Sequence, residues 1–97
     1  MEQATITRVA GVVVVGGEID LATASMLSDA IAAVAGPVMI DLSGVTFMDS
    51  AGVRVLVTQR RCREATGDRF ELAGLSRPAR RVLEVAGVLE YFDVGAG

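Results

Sequence analysis

Apolar residues along this chain follow two patterns in turn, one typical of β-strands and one typical of α-helices. β-Branched runs at residues 5–9 and 12–17 predict two strands, and Ala10-Gly11 between them is typical of the tight turn in a hairpin. Residues 12–15 are all valine, with no polar residue between them, so we expect this strand to be covered on both faces of its sheet. Further strands are predicted at residues 38–42, 69–75 and 89–94.

Three helices are predicted between these strands. Each carries apolar residues three and four positions apart, which form one inward face. The inward-facing residues are Leu27, Ala30, Ile31 and Val34 in the first helix, Val53, Leu56 and Val57 in the second, and Ala79, Val82, Leu83 and Ala86 in the third. Residue types that commonly begin or end a helix lie at both ends of each one. They are Asp20 or Thr23 and Gly36-Pro37 for the first helix, Ser50 and Gly67 for the second, and Ser76 and Gly87 for the third.

The resulting order of elements, β-β-α-β-α-β-α-β, predicts an α/β fold. Strands that alternate with helices favour a mixed, mostly parallel sheet, which begins here with the hairpin and has the helices packed on it. The chain of 97 residues has the length of a single domain. Its hydrophobic fraction of 52% is sufficient for one core and argues against disorder.

Missing residue types exclude several kinds of catalysis. The sequence contains no histidine, so a Ser-His-Asp triad is impossible, and no lysine, so a Walker A loop and a Schiff base are impossible. The single cysteine, Cys62, cannot form a zinc site or an intrachain disulfide by itself. Asp20, Asp41 and Asp49 remain possible acid–base carboxylates, but each has a sufficient structural explanation. We therefore expect no catalytic residues, no metal and no cofactor, and not an enzyme.

Charge and hydropathy indicate the compartment and argue against two classes of partner. The formal net charge is −3, and the clustered arginines of the second and third helices are interspersed with Glu64 and Glu84. This pattern favours solvated helix faces over a nucleic-acid-binding surface. No secretory signal is evident, and no apolar run reaches the roughly 18 residues of a membrane span. A cytoplasmic protein is expected, in agreement with one free cysteine.

The most informative segment is the junction between the strand at residues 38–42 and the second helix. Ser43-Gly44 is expected to turn the chain, and three apolar residues are expected to pack beneath the junction: Val45, Phe47 and Met48. Asp49 and Ser50 then form a polar tip where the helix begins, a common place for a functional site. A serine there attacks a substrate, caps the helix or receives a phosphate, and the absence of histidine removes the first alternative. Asp49 is a second cap, an exposed loop charge or a partner contact.

Residues 41–53, Asp-Leu-Ser-Gly-Val-Thr-Phe-Met-Asp-Ser-Ala-Gly-Val, resemble the signature of the STAS domain. More narrowly, the chain resembles the bacterial anti-sigma factor antagonists, also called anti-anti-sigma factors. Residues 17–24 resemble the entry of that family into its first helix, and residues 75–88 resemble its third-helix segment. The resemblance covers nearly the whole chain. One departure is that the C-terminal helix of the family is short or absent here.

The resemblance implies a regulatory switch in transcription. Such an antagonist binds an anti-sigma factor that is also a GHKL-type serine kinase, and this binding frees the sigma factor. The kinase phosphorylates one serine of the antagonist and so ends the interaction, and a serine phosphatase restores it. Carried onto this chain, the phosphorylated residue is Ser50, and the surface that binds the partner is bordered by Asp20, Asp49, Ala51 and Gly52.

A second interpretation stays open beside the switch. The chain would then be a STAS module that is not phosphorylated. Such a module is an accessory subunit of a lipid transporter, a scaffold in a stress-signalling assembly, or a sensor of a nucleotide or another small molecule.

Overall fold

The computed structural model describes residues 4–95, which form a five-stranded sheet and three helices. The strands are β1 (Thr5–Val9), β2 (Val12–Ile19), β3 (Val38–Met48), β4 (Phe70–Ala73) and β5 (Asp93–Val94). The helices are α1 (Ala24–Ala32), α2 (Ser50–Thr66) and α3 (Arg77–Val85), and a single 3-10 turn occupies Leu89–Tyr91. The strands lie side by side in sequence order, β1 is antiparallel to β2, and all other pairs are parallel. The predicted fold class is confirmed.

The first two strands form the expected hairpin. Ala10 and Gly11 have φ angles of +50° and +83°, and both are positive, as the hairpin turn that matches the twist of its strands requires. A glycine adopts such an angle without strain, whereas the alanine bears a steric cost. The hairpin register pairs Thr5 with Gly16 and Val9 with Val12.

All three helices lie against one face of the sheet, and the other face is open. Val13 and Val15 are buried in the core, whereas Val14 between them is 39% exposed. The expectation that residues 12–15 are covered on both faces is therefore wrong. The reason is the strand order: right-handed crossovers that always step in the same direction place their helices on the same face. A single core results, and it includes Ile19, Leu27, Ile31, Ile40, Leu42, Leu56, Leu72 and Leu83.

Strand β3 is longer than predicted and runs through Ser43-Gly44 to Met48. The expected turn at these residues is wrong, because Gly44 pairs with Gly16 of β2 at a shift in the strand register. A carbon added at the Cβ position of Gly44 would lie 3.2 Å from Gly16 Cα. The two glycines thus allow a close approach of the strands, and the chain continues instead of turning. Met48 is buried beneath the junction, as expected, but Phe47 is 48% exposed.

The C-terminal segment also differs from the prediction. The expected strand at residues 89–94 is a 3-10 turn followed by β5, of which only Asp93 and Val94 pair with β4. The Tyr91 hydroxyl donates a hydrogen bond of 2.9 Å to Glu64 Oε1, and the Arg60 guanidinium lies 4.1 Å from the centre of the Tyr91 ring. The Tyr91 bond, followed by that from Arg60, holds the pKa of Glu64 below its ordinary value. These contacts attach the segment to α2.

The predicted ends of α2 and α3 are confirmed, whereas α1 ends at Ala32, before the predicted stop at Gly36-Pro37. Helix α2 ends at Gly67, whose φ is +79°, and α3 begins after Ser76, whose side chain accepts a hydrogen bond of 3.2 Å from the Ala79 N–H. The predicted inward face of α3 is wrong at Ala86, which is exposed because the helix ends at Val85. None of the helices within residues 4–95 has the length and apolarity that a membrane span needs.

Polar side chains join α1 to α2. Arg63 Nη2 donates hydrogen bonds to the carbonyl oxygens of Ile31 (2.8 Å) and Val34 (2.7 Å), at the C-terminal end of α1. The carbonyls at a helix end have no partner in the helix itself, so a cation there satisfies them and opposes the helix dipole. Gln59, which is buried, donates a bond of 3.2 Å to Ser28 Oγ. The two helices are therefore fixed relative to each other by directed bonds as well as by apolar contact.

Candidate functional site

Asp49 is the single residue between β3 and α2, and it caps the helix. Its backbone is extended, with φ −113° and ψ −169°, and its Oδ1 accepts a hydrogen bond of 2.9 Å from the Ala51 N–H. Its carbonyl oxygen accepts bonds from the N–H groups of Gly52 (3.1 Å) and Val53 (3.2 Å). The Asp49 N–H in turn donates to the Ile19 carbonyl at 3.1 Å, which joins the junction to the end of β2. Asp49 is thus an N-cap held by the sheet.

Ser50 is the first residue of α2 and is exposed. Within residues 4–95, its hydroxyl makes no hydrogen bond. The alternative in which Ser50 caps the helix is therefore wrong, because Asp49 has that position. The Ser50 hydroxyl therefore has no structural role among the described residues, and it is accessible to another molecule.

Asp20 follows the end of β2, beside the junction, but its side chain is committed to the entry into α1. Its Oδ1 accepts a hydrogen bond of 3.1 Å from the Thr23 N–H, and the Thr23 hydroxyl accepts one of 3.0 Å from the Asp20 N–H. Reciprocal bonds of this kind fix the turn that precedes a helix. The capping role considered for Asp20 is thereby supported by its contacts, although the N-cap of α1 is Thr23.

An open groove of about 380 Å³ runs along Ser50 between the start of α1 and the start of α2. We call it the Ser50 groove, and it is lined by Leu21, Ala24, Asp49, Ser50, Ala51, Arg54 and Val55. Leu21 is 82% exposed, although it is a large apolar residue. An apolar groove with a few charged groups on its rim is typical of a site where another molecule binds.

Four residues of the Ser50 groove were not among the predicted site residues: Leu21, Ala24, Arg54 and Val55. Arg54 is four positions after Ser50, and this spacing places both on one side of α2, so the sequence contained the signal for it. Leu21, Ala24 and Val55 had no such signal, because the groove depends on how α1 and α2 pack. The structure brings the predicted residues Asp49, Ser50 and Ala51 together in the groove.

Gly52 lies beneath the Ser50 groove and is buried. A carbon added at its Cβ position would lie 2.7 Å from Met48 Cγ and 2.9 Å from Ile19 Cγ2. Real Cβ atoms do not approach so closely, so the first turn of α2 can rest on the ends of β2 and β3 only if this residue is glycine. We therefore assign Gly52 to the packing of the junction.

Substitution Gly52→Val is expected to destabilise the protein by about 1–3 kcal/mol, because the added side chain overfills the space beside Met48 and Ile19. The matched control is Thr58→Val, which introduces the same side chain at an exposed position of α2 and should change the stability by less than about 0.5 kcal/mol. Urea unfolding of the two variants measures the difference. Equal stabilities would contradict the packing assigned to Gly52.

The fold and the junction together define a class of protein: a small α/β domain with helices on one face of its sheet and an exposed serine at the start of a helix. Residues 2–92 match a family model described as "Mlab, STAS domain". The chain belongs to the STAS domain family. A comparison with curated proteins finds no significant match.

Solved structures with the same fold come from bacteria and from an animal. An anti-sigma factor antagonist from Mycobacterium paratuberculosis is 28% identical, with a TM-score of 0.78, over 100% of this chain and 87% of that one. The Bacillus cell fate determinant SpoIIAA in its phosphorylated form is 22% identical, with a TM-score of 0.70, over 97% of this chain and 92% of that one. The murine anion transporter Slc26a9 is 20% identical, with a TM-score of 0.63, over 87% of this chain but 15% of that one. The last two similarities show the fold alone.

Proposed function

We propose that this protein is an anti-sigma factor antagonist that is switched by phosphorylation of Ser50. Through the Ser50 groove it binds an anti-sigma factor that is also a GHKL-type serine kinase, and this binding frees a sigma factor in the cytoplasm. The kinase modifies Ser50 and so ends the interaction, and a serine phosphatase restores it. The protein itself needs no cofactor for this role.

The observation that carries the proposal is the free hydroxyl of Ser50. A serine at the start of a helix is ordinarily explained as a cap, but here Asp49 accepts the bond that a cap accepts. What remains is an exposed nucleophilic hydroxyl on the wall of an apolar groove, where a kinase can reach it. The similarity to the Mycobacterium paratuberculosis antagonist over the whole chain supports the same role.

The groove offers a partner both apolar and charged contacts. Leu21, Ala24 and Val55 supply apolar surface, and Asp49 and Arg54 supply one charge of each sign. Charged groups at the edge of an apolar patch set the orientation and the specificity of docking more than its affinity. Ala51 lies within this surface, and Asp20 borders it.

Phosphorylation changes the charge of this surface at its centre. A phosphate adds about −1.5 to −2 charges at neutral pH. The Asp49 carboxylate is already beside it and already occupies the Ala51 N–H, so the helix start has one donor fewer for the new group. A docked partner that has no matching group for the added negative charge would have to bury it at a cost, or move away. The modification therefore weakens binding without unfolding the domain.

The direct test is phosphorylation by the cognate kinase. The purified protein is incubated with the candidate kinase and ATP, and the modified residue is mapped by mass spectrometry. We expect the phosphate on Ser50, none on the Ser50→Ala variant, and unchanged modification of Ser43→Ala, which removes another exposed serine. Phosphate on a different residue, or none with any cognate kinase, would refute the proposal.

A second candidate is a STAS module that is not phosphorylated, since the same fold also occurs as part of an anion transporter. It would act as a transporter accessory subunit, a signalling scaffold or a small-molecule sensor. Co-purification with a transporter, or a melting temperature raised by a nucleotide, would favour this candidate. A neighbouring gene for a sigma factor or a GHKL-type kinase would favour the antagonist.

A further inference from the structure

We propose that Arg54 receives the phosphate of phosphoserine 50 and holds it in an ion pair on the surface of α2. The inference rests on the proposed function, since it describes the modified state of the same site. It assigns a role in the modified state to a further side chain of the Ser50 groove.

The spacing of the two residues is the first argument. Ser50 and Arg54 are four positions apart in α2 and both line the groove, so their side chains are neighbours on one side of the helix. An acidic group four residues before a basic one is the more favourable orientation of such a pair. A guanidinium also matches the geometry of a phosphate, because it can donate two parallel hydrogen bonds.

The availability of Arg54 is the second argument. Arg54 is exposed and has no ion pair or hydrogen bond among the described residues. Two other arginines of α2 are already engaged, since Arg60 lies 3.0 Å from Glu64 Oε1 and Arg63 bonds to the end of α1. Arg54 is also the arginine that lines the Ser50 groove. Arg54 therefore combines two properties: it has no partner among the described residues, and it lies in the groove beside Ser50.

The surrounding acidic groups direct the phosphate towards Arg54. The Asp49 carboxylate bonds to the Ala51 N–H and repels a phosphate on the adjacent residue. The Asp20 carboxylate, which is held by Thr23 at the start of α1, is a second negative charge near the junction. A phosphate on Ser50 is therefore repelled by the carboxylates at the strand ends and attracted by Arg54, which lies one turn further along α2.

The ion pair changes the charge of the surface that a partner contacts. In the unmodified protein, the guanidinium of Arg54 is free to contact an acidic group of the partner. After phosphorylation the same guanidinium pairs with the phosphate of its own domain and is no longer free for the partner. The modification thus adds about −1.5 to −2 charges and at the same time withdraws a positive one from the partner.

The test measures the second pKa of the phosphate and needs no kinase. Phosphoserine is introduced at position 50 during translation, and the phosphorus NMR shift is followed between pH 4 and pH 8. A nearby guanidinium favours the dianion, so we expect the pKa to be higher in Arg54→Gln than in the wild-type background by about half a unit. The control is Arg61→Gln, which removes an exposed arginine about two turns further along α2 and should leave the phosphate pKa unchanged.

The outcomes separate this inference from the proposed function. Equal phosphate pKa values in Arg54→Gln and the wild-type background would overturn the pairing, even if Ser50 is the residue that the kinase modifies. Conversely, a cognate kinase that leaves Ser50 unmodified would refute the switch, even if the pKa difference is found. Circular dichroism shows whether the variants keep their helices, which is expected because Arg54 and Arg61 are exposed.

Discussion

Substitution Ser50→Glu is expected to weaken the binding of the proposed anti-sigma factor by on the order of a hundredfold, whereas Ser50→Ala is expected to bind as tightly as the wild type. The glutamate places a charge at the centre of the proposed interface and pairs with the Arg54 guanidinium that the partner would otherwise contact, and a buried charge left without its partner costs about 3–5 kcal/mol. Because about 1.4 kcal/mol corresponds to a factor of ten in affinity, even the lower value gives this loss. Alanine removes a hydroxyl that bonds to nothing within the described residues and adds no charge.

Isothermal titration calorimetry with the partner measures both affinities. The matched control is Ser43→Glu, which introduces the same charge at another exposed serine, on β3, and should leave the affinity unchanged. A loss of stability cannot mimic the expected result, because a glutamate in the first turn of a helix is stabilising by about 0.3–1 kcal/mol. Equal affinities of Ser50→Ala and Ser50→Glu would show that the partner does not dock around Ser50.

Substitution Arg63→Ala is expected to lower the free energy of unfolding by about 2–3 kcal/mol. The variant loses two hydrogen bonds from a charged group to the carbonyls of Ile31 and Val34, and such bonds contribute about 1.5–3 kcal/mol each. The net loss is smaller than their sum, because the buried Nε of Arg63 has no partner in the described part of the chain. Removing that unpaired donor offsets part of the loss.

Urea denaturation tests this expectation, with Arg61→Ala as the control. Arg61 is an exposed arginine two positions earlier on α2, and its removal should change the stability by less than about 0.5 kcal/mol. Arg63→Lys keeps the charge but lacks the guanidinium, so it should fall between the wild type and the alanine variant. If Arg63→Ala and Arg61→Ala unfold at the same urea concentration, the bonds to α1 contribute nothing.

The order and class of the elements were predictable because each helix and strand has its own period and its own end residues. The errors fall where the outcome depends on distant parts of the chain. Residues 12–15 look like a strand with two covered faces, and only the strand order shows that one face stays open. Ser43-Gly44 looks like a turn, and only the pairing of Gly44 with Gly16 shows that β3 continues. Local turn chemistry was overridden by contacts between strands.

The candidate site was predictable in its position but not in its division of roles. The sequence placed Asp49 and Ser50 at the start of a helix, yet either residue could have been the cap. The choice follows from the extended backbone of Asp49 and its bond to the end of β2, which is a tertiary contact. The apolar wall of the groove was not predictable for the same kind of reason, since Leu21 and Val55 come from elements far apart in the sequence.

The contact of Gly52 with Met48 and Ile19 has a consequence for the thermodynamics of binding. It seats the first turn of α2 directly on the ends of two central strands, so the backbone that presents Ser50 has little freedom to move. A preorganised epitope loses little conformational entropy when a partner docks, and a partner can therefore bind it through a small surface. The same rigidity keeps the helix start in place when Ser50 is phosphorylated, so the modification changes the charges that the partner contacts without moving the backbone that presents them.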